Sequence, residues 1–152
     1  MDERQTHEMY MRMALQLARE AESAGEVPVG AVIVQDDRVI GRGRNSPIEL
    51  NDPSAHAEIL AMREAGAAVG NYRLEHATIY VTIEPCVMCA GAIVAARISR
   101  VVFGARDLRF GGVRSKFRVA DSDVLNHRAE VLEGILGAEC TELVQNFFSA
   151  RR

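Results

Sequence analysis

The period of the apolar residues changes several times along this chain, and those changes limit the fold more than any other feature. Met9, Met13, Leu17 and Ala21, with Tyr10, Ala14 and Ala18 beside them, recur at steps of three and four, which predicts an amphipathic helix over residues 6–24 ended by Gly25. The β-branched runs VPVGAVIVQ and RVIGRG follow, split by Asp36-Asp37, and predict a hairpin over 28–43. Gly30 interrupts the first of these runs, marking a bulge, a close approach to the backbone, or a merely tolerated small residue. Asp52-Pro53-Ser54 signals a helix start, Asp as cap and Pro in the first turn, and AHAEILAMREAGAAVG carries that helix to Gly70. ATIYVTI (77–83) and RVVFGA (100–105) read as strands on either side of a helix that Pro85 opens and that runs to Arg97. A Gly- and Arg-rich stretch extends to residue 120, AEVLEG (129–134) supplies a fifth strand, and LGAECTELVQNFFSARR closes the chain as a helix. Strands alternating with helices predict an α/β fold, a mixed five-stranded sheet flanked by helices.

At 152 residues the chain suits one domain, spanning 1–152, with about 68–70% of its unfolded surface buried. No apolar run nears the roughly 18 residues of a spanning helix, and MDERQTHE carries acids where a secretory leader has a basic stretch, so a cytoplasmic protein without membrane association is expected. Three cysteines do not close a disulfide framework and point to reduced thiols or metal ligands. Net charge is −3, which excludes general polyanion binding and confines any nucleic-acid site to a local patch. Such a patch exists in the sequence: residues 106–118 hold Arg106, Arg109, Arg114, Lys116 and Arg118 against Asp107 alone.

His56 stands near one helix start, Cys86 and Cys89 at another. Cysteines three apart share a helix face, with Cβ atoms about 5–6 Å apart, so both sulfurs can reach one ion. A helix N-terminus also lowers thiol pKa and favours the thiolate that a metal needs. Three protein ligands leave a fourth position open, the arrangement of catalytic rather than structural zinc. Cys140, among Leu136, Leu143 and Val144, reads as a buried free thiol. Glu58 follows His56 by two residues, which on a regular helix points it to the other side; the two converge only if the metal lies beyond the helix end. Glu58 then serves as a proton carrier that does not ligate the ion. A lone CxxC leaves redox, structural-zinc and accidental readings open. HAE followed twenty-five residues later by EPCxxC is far more specific, being the pattern of zinc-dependent nucleobase deaminases.

With these residues in place the sequence resembles the bacterial tRNA-specific adenosine deaminases, of the zinc-dependent cytidine and deoxycytidylate deaminase superfamily. EVPVGAV (26–32), RN (44–45), DPSAHAEI (52–59), NYRL (71–74), YVTIEPCVMCAGAI (80–93), RVVFGARD (100–107) and NHR (126–128) match in order along nearly the whole chain. The resemblance implies a three-layer α/β/α fold of cytidine-deaminase type and hydrolysis of the wobble adenosine, position 34 of a tRNA anticodon, to inosine with release of ammonia. It implies one Zn2+ per subunit on His56, Cys86 and Cys89, with Glu58 moving protons between the attacking water, ring N1 and the leaving amine. Asn45 would hydrogen-bond the flipped base and its ribose, and Val29 and Gly30 would lie against that base. Asp107 and Asn126 would hold neighbouring nucleotides, and Phe148 and Arg152 would form a stacking and phosphate-binding end. Read without the resemblance, Asp107 ends a strand, Asn126 makes a turn and Phe148 belongs to a core. The partners implied are the tRNA anticodon stem-loop and a second subunit in a homodimer. The chain departs from the family at 108–118, where LRFGGVRSKFR replaces a stretch closer to AKTGAAGS.

Two other readings compete. A small-molecule deaminase of the same superfamily, acting on guanine, cytosine or cytidine, or a riboflavin-type precursor, shares the zinc site but has no use for the basic 106–118 segment. A zinc or thiol binding module without catalysis predicts that function survives loss of Glu58.

Overall fold

The computed structural model describes residues 1–151, and Arg152, expected above to bind phosphate, lies outside them. Helix α1 spans Glu3–Ser23, and strands β1 (Gly30–Gln35) and β2 (Arg38–Arg44) form the hairpin. A short helix α2 (Pro47–Leu50) and then α3 (Ala57–Val69) lead to strand β3 (Thr78–Ile83). Helix α4 (Val87–Ala95), strands β4 (Arg100–Ala105) and β5 (Glu130–Glu133), and helix α5 (Gly137–Ser149) complete the order.

The sheet runs β2-β1-β3-β4-β5. β1 is antiparallel to β2 and β3, while β3, β4 and β5 are mutually parallel. Because successive strand residues point to opposite faces, each strand feeds two cores. Ala31, Ile33, Ile79, Val81, Val101 and Phe103 face the layer that holds Ala57, Ala61 and Ala65 of α3 and Ala90 and Ile93 of α4. Val32, Val34, Tyr80 and Val102 face the layer of α1, with Tyr10, Met11, Ala14 and Leu15, and of Cys140 in α5. The result is the three-layer α/β/α arrangement with a mixed five-stranded sheet. Among the described residues no helix is long and apolar enough to cross a membrane.

Local chemistry explains the boundaries. Asp2 accepts from the Gln5 amide at 2.8 Å while the Gln5 side chain accepts from the Asp2 amide at 2.9 Å, a capping box that starts α1 three residues earlier than its apolar period suggests. Asp36 and Asp37 both take positive φ, 52° and 61°, as a two-residue hairpin turn that follows the strand twist requires. The helix expected to start at Asp52-Pro53 starts instead at Ala57, with His56 as N-cap. Asp52 Oδ1 accepts from both the Ser54 amide (2.9 Å) and the Ser54 hydroxyl (2.7 Å), so its side chain closes a turn rather than caps a helix. Pro85 likewise precedes the N-cap, Cys86, by one residue. Gly30 answers to helix packing: a Cβ there would overlap the Ala14 carbonyl oxygen and come within 2.7 Å of the Ala18 nitrogen. The close approach expected at Gly30 is therefore that of α1, which by itself accounts for the glycine without a base against it.

Candidate active site

His56 and Cys86 occupy the N-cap positions of α3 and α4, with extended backbones (φ −74°, ψ 153° and φ −73°, ψ 176°). Neither side chain caps its own helix, so both remain available to something else. An N-cap residue is not bound by helical spacing, which removes the objection that His56 and Glu58 point to opposite sides. Cys89 lies one turn into α4 and is fully buried. His56 Nδ1 stands 3.5 Å from each of the two sulfurs, and the three donor atoms lie within 4.8 Å of one another.

Those distances permit a direct test against a metal. Tetrahedral zinc with Zn–S about 2.3 Å and Zn–N about 2.0–2.1 Å has an N···S edge of about 3.6 Å. The observed 3.5 Å matches that edge, and two thiols with one imidazole are a donor set suited to zinc. The residues fit the ion, and three of them leave one tetrahedral position free.

The metal-free electrostatics agree. The Cys86 thiol is pushed down to about 4, first by a hydrogen bond from Cys89 and also by His56, against the effect of burial. Cys89 is pushed up, because its proton is held toward Cys86 and because it is buried. His56 is raised, chiefly by its bond to the Cys86 sulfur. Glu58, in the first turn of α3, is 3% exposed, and burial pushes its carboxyl up to about 7. Its own amide, His56 and the Cys89 thiol act the other way. A carboxyl that gains and loses a proton near neutrality, beside an open ligand position, is suited to general acid–base work.

Asn45 belongs to the same corner. Its Oδ1 accepts from the Ala57 amide at 3.0 Å, between His56 and Glu58, and its own amide donates to the Val29 carbonyl at 3.0 Å. This leaves the side-chain Nδ2 of Asn45 as a donor and ties half-buried Val29 to the site. Asp107 is used locally: Oδ1 accepts from the amides of Arg109 (3.0 Å) and Phe110 (3.1 Å), closing a turn. Asn126 is an exposed bend residue. Phe148 is exposed on α5, in the layer opposite α3 and α4, edge-to-face with Phe147 at 5.2 Å. The structure thus brings His56, Glu58, Cys86, Cys89, Asn45 and Val29 together, and leaves Asn126 and Phe148 at separate places.

The basic segment is less free than its sequence suggests. Arg106 pairs with Glu133 at 2.8 Å, and Arg114 and Arg118 pair with Asp121 at 3.1 and 3.3 Å. Among the described residues, Arg109 and Lys116 are the two of the five cations with no carboxylate within reach. Two buried carboxylates, Glu26 of EVPVGAV and Glu84 of EPCxxC, have roles that the sequence reading did not assign. Glu26 accepts from the amides of Ile48 (3.2 Å) and Glu49 (2.8 Å), which fixes α2 beside Asn45. Glu84 binds the loop after β4. Only the apolar neighbours of each carboxylate signalled burial, and no spacing rule names amides more than 20 residues away.

Comparison with known proteins places this geometry. The MafB19-like deaminase family matches residues 5–152. The tRNA-specific adenosine deaminase of Haemophilus influenzae is 51% identical over 146 residues, covering 95% of this chain and 84% of the relative. A solved structure from a study of A-to-I editing by tRNA:A34 deaminases at the wobble position superposes with a TM-score of 0.86 at 46% identity, over 89% of this chain and 98% of that one. A guanine deaminase from Bacillus subtilis is 43% identical but aligns over 66% of this chain and 64% of its own, with a TM-score of 0.63. The chain belongs to this deaminase family and, within it, to the tRNA-specific adenosine deaminases.

Proposed function

We propose that the protein deaminates the wobble adenosine of a tRNA anticodon stem-loop, position 34, to inosine, with water consumed and ammonia released. The observation that carries this reading is the buried Glu58 carboxyl beside the His56, Cys86 and Cys89 trio, in a chain about half identical to tRNA-specific adenosine deaminases.

His56 Nδ1 and the sulfurs of Cys86 and Cys89 would hold one zinc ion. When bound, that ion supplies a Lewis acid that makes water a nucleophile at neutral pH. Glu58 takes one proton from the attacking water and delivers it to ring N1, then takes the proton of the new C6 hydroxyl and passes it to the amine, which leaves as ammonia while the C6 carbonyl forms. Its burial serves both steps, since desolvation makes the carboxylate a stronger base than one in water, able to take a proton and return it. Asn45 donates to the extruded base and its ribose, and Val29 lines the wall beside it. First-turn amides of α3 and α4, which have no helical partner, favour negative charge at the reacting carbon's oxygen.

Neighbouring nucleotides are read by the exposed turn at Asp107 and by Asn126, with Phe148 and Arg152 as a further contact. A homodimer is part of the same reading. An apolar groove of about 640 Å³ between α3 and α4, lined by Ile59, Met62, Tyr72 and Ala92, together with the exposed Val87 and Met88, supports a second subunit there. The location proposed is the cytoplasm, where tRNA is modified.

The test uses zinc-loaded protein on an anticodon stem-loop with adenosine at the wobble position, beside free adenosine, cytidine and guanine. The reading predicts inosine from the stem-loop and no turnover of the free compounds. Faster turnover of guanine or a free nucleoside would replace it with the small-molecule deaminase.

A further inference from the structure

We propose that Glu84 is a positioning residue: its buried carboxylate clamps loop 107–115 onto the start of α4 and so fixes where Arg109 and Phe110 meet the nucleic acid. The inference rests on the reading of this site as acting on an RNA.

Glu84 is 3% exposed and stands between the end of β3 and Cys86. Its amide donates to the Ala105 carbonyl at 2.8 Å, at the mouth of the loop. Oε1 accepts from the Asp107 amide (3.1 Å) and from the Ser115 hydroxyl. Oε2 accepts from the amides of Val113 (3.0 Å), Arg114 (2.7 Å) and Ser115 (2.9 Å). A buried carboxylate is tolerated only when donors surround it, and here the donors are loop main chain and one hydroxyl. Among the described residues no Lys or Arg side chain lies within salt-bridge distance of it, so the carboxylate holds backbone, not charge.

The contact constrains the loop's sequence at Gly111. A Cβ at Gly111 would overlap the Glu84 carboxylate, and one at Gly112 would lie 2.7 Å from the Val87 nitrogen. Gly112 donates to the Pro85 carbonyl at 2.8 Å, and Gly111 bridges to Cys86 in antiparallel fashion. The loop is thereby bonded to the residue that caps the cysteine-bearing helix.

At the tip, the turn closed by Asp107 Oδ1 presents Arg109, which keeps the charge of the lysine in the family's stretch, and Phe110, which the family resemblance does not explain. The Arg109 guanidinium lies 5.4 Å from the centre of the Phe110 ring, and Phe110 is 62% exposed. An aromatic face with a cation beside it is what an unstacked base and its phosphate recognise. Holding an exposed loop by five hydrogen bonds removes much of the ordering cost before RNA arrives.

Glu84→Gln is nearly isosteric but must turn its NH2 toward amide donors on one side, and Ser115→Ala removes one bond from the loop side. The measurements are metal content, kcat and KM on the stem-loop, and hydrogen exchange of the amides of 107 and 113–115. We expect parental metal content, kcat within about twofold, KM raised about tenfold, and those amides exchanging at least about tenfold faster in Glu84→Gln. Arg109→Ala should raise KM in the parent yet add nothing to Glu84→Gln, because the two act through one loop. Ser115→Ala should move KM and exchange the same way by about threefold, and it decides the matter if Glu84→Gln does not fold. An unchanged KM in both variants overturns the proposal, as does a loss of kcat or metal at unchanged KM. A parent that makes no inosine from the stem-loop sinks the RNA reading instead, a different result.

Discussion

Cys86 and Cys89 share one spot with His56, while Cys140 is buried in the opposite layer, its sulfur close under Gly104 of β4. The difference is testable by elemental analysis. Cys86→Ser and His56→Ala should each bring bound zinc from about one per chain to a small fraction of that, since two ligands do not hold it. Cys140→Ser should keep the metal and cost about 1–3 kcal/mol of stability, the penalty of a hydroxyl where the core offers no new partner. At this scale the sequence was most informative, because HAE and EPCxxC are short-range patterns with a fixed chemistry. The roles of Glu84, although it opens EPCxxC, and of Glu26 were not legible, since each acts on main-chain amides brought in by the fold.

Between elements, the tight seams and the long loop decide behaviour. Gly30→Ala would force α1 away from β1 and should cost about 1–3 kcal/mol, read as a lower midpoint in urea with the slope unchanged. The 106–129 connection is held at its far end by Asp121. Burial acts to raise that carboxyl, but hydrogen bonds and charge from Arg114 and Arg118 outweigh it and hold the group below its ordinary 3.8. A folded-state pKa below the unfolded one stabilises fully above 3.8, and the contribution fades as pH falls through the folded value. Asp121→Asn should therefore melt below the parent at neutral pH and converge with it in strong acid. A gap in melting temperature that stays constant with pH would contradict this. The order of the strands and the longer helices was readable from apolar period together with Pro and Gly signals, whereas the four-residue helix α2 (Pro47–Leu50) was not. The start of α3 was not, because Asp52-Pro53-Ser54 carries the residues of both a helix cap and a self-closed turn, and only tertiary contacts select between them. The basic segment was misjudged for a related reason: composition counts charges, and only folding shows that Arg106, Arg114 and Arg118 already have carboxylates.

For the molecule as a whole, a metal held at the junction of α3 and α4 would bind the folded chain more tightly than the unfolded one and so add stability by mass action. Removing it with a chelator should lower the melting temperature, and zinc should restore it. A second subunit on the groove between α3 and α4 predicts a dimer mass in sedimentation, weakened by a charge at Met62 or Ala92. A mixed sheet flanked by helices followed from the alternation of strand and helix periods and its three layers from the family resemblance, whereas that groove had no signature, being lined by residues from two separated helices. The chemistry requires a protonating carboxyl beside a three-ligand metal, and Glu58→Ala removes that carboxyl while leaving the three ligands in place. Purified in parallel, parent and variant should both carry about one zinc per chain. The variant should make inosine from the anticodon stem-loop about 10²–10⁴-fold more slowly than the parent. Equal rates in the two proteins, or a parent that binds no metal, would contradict it.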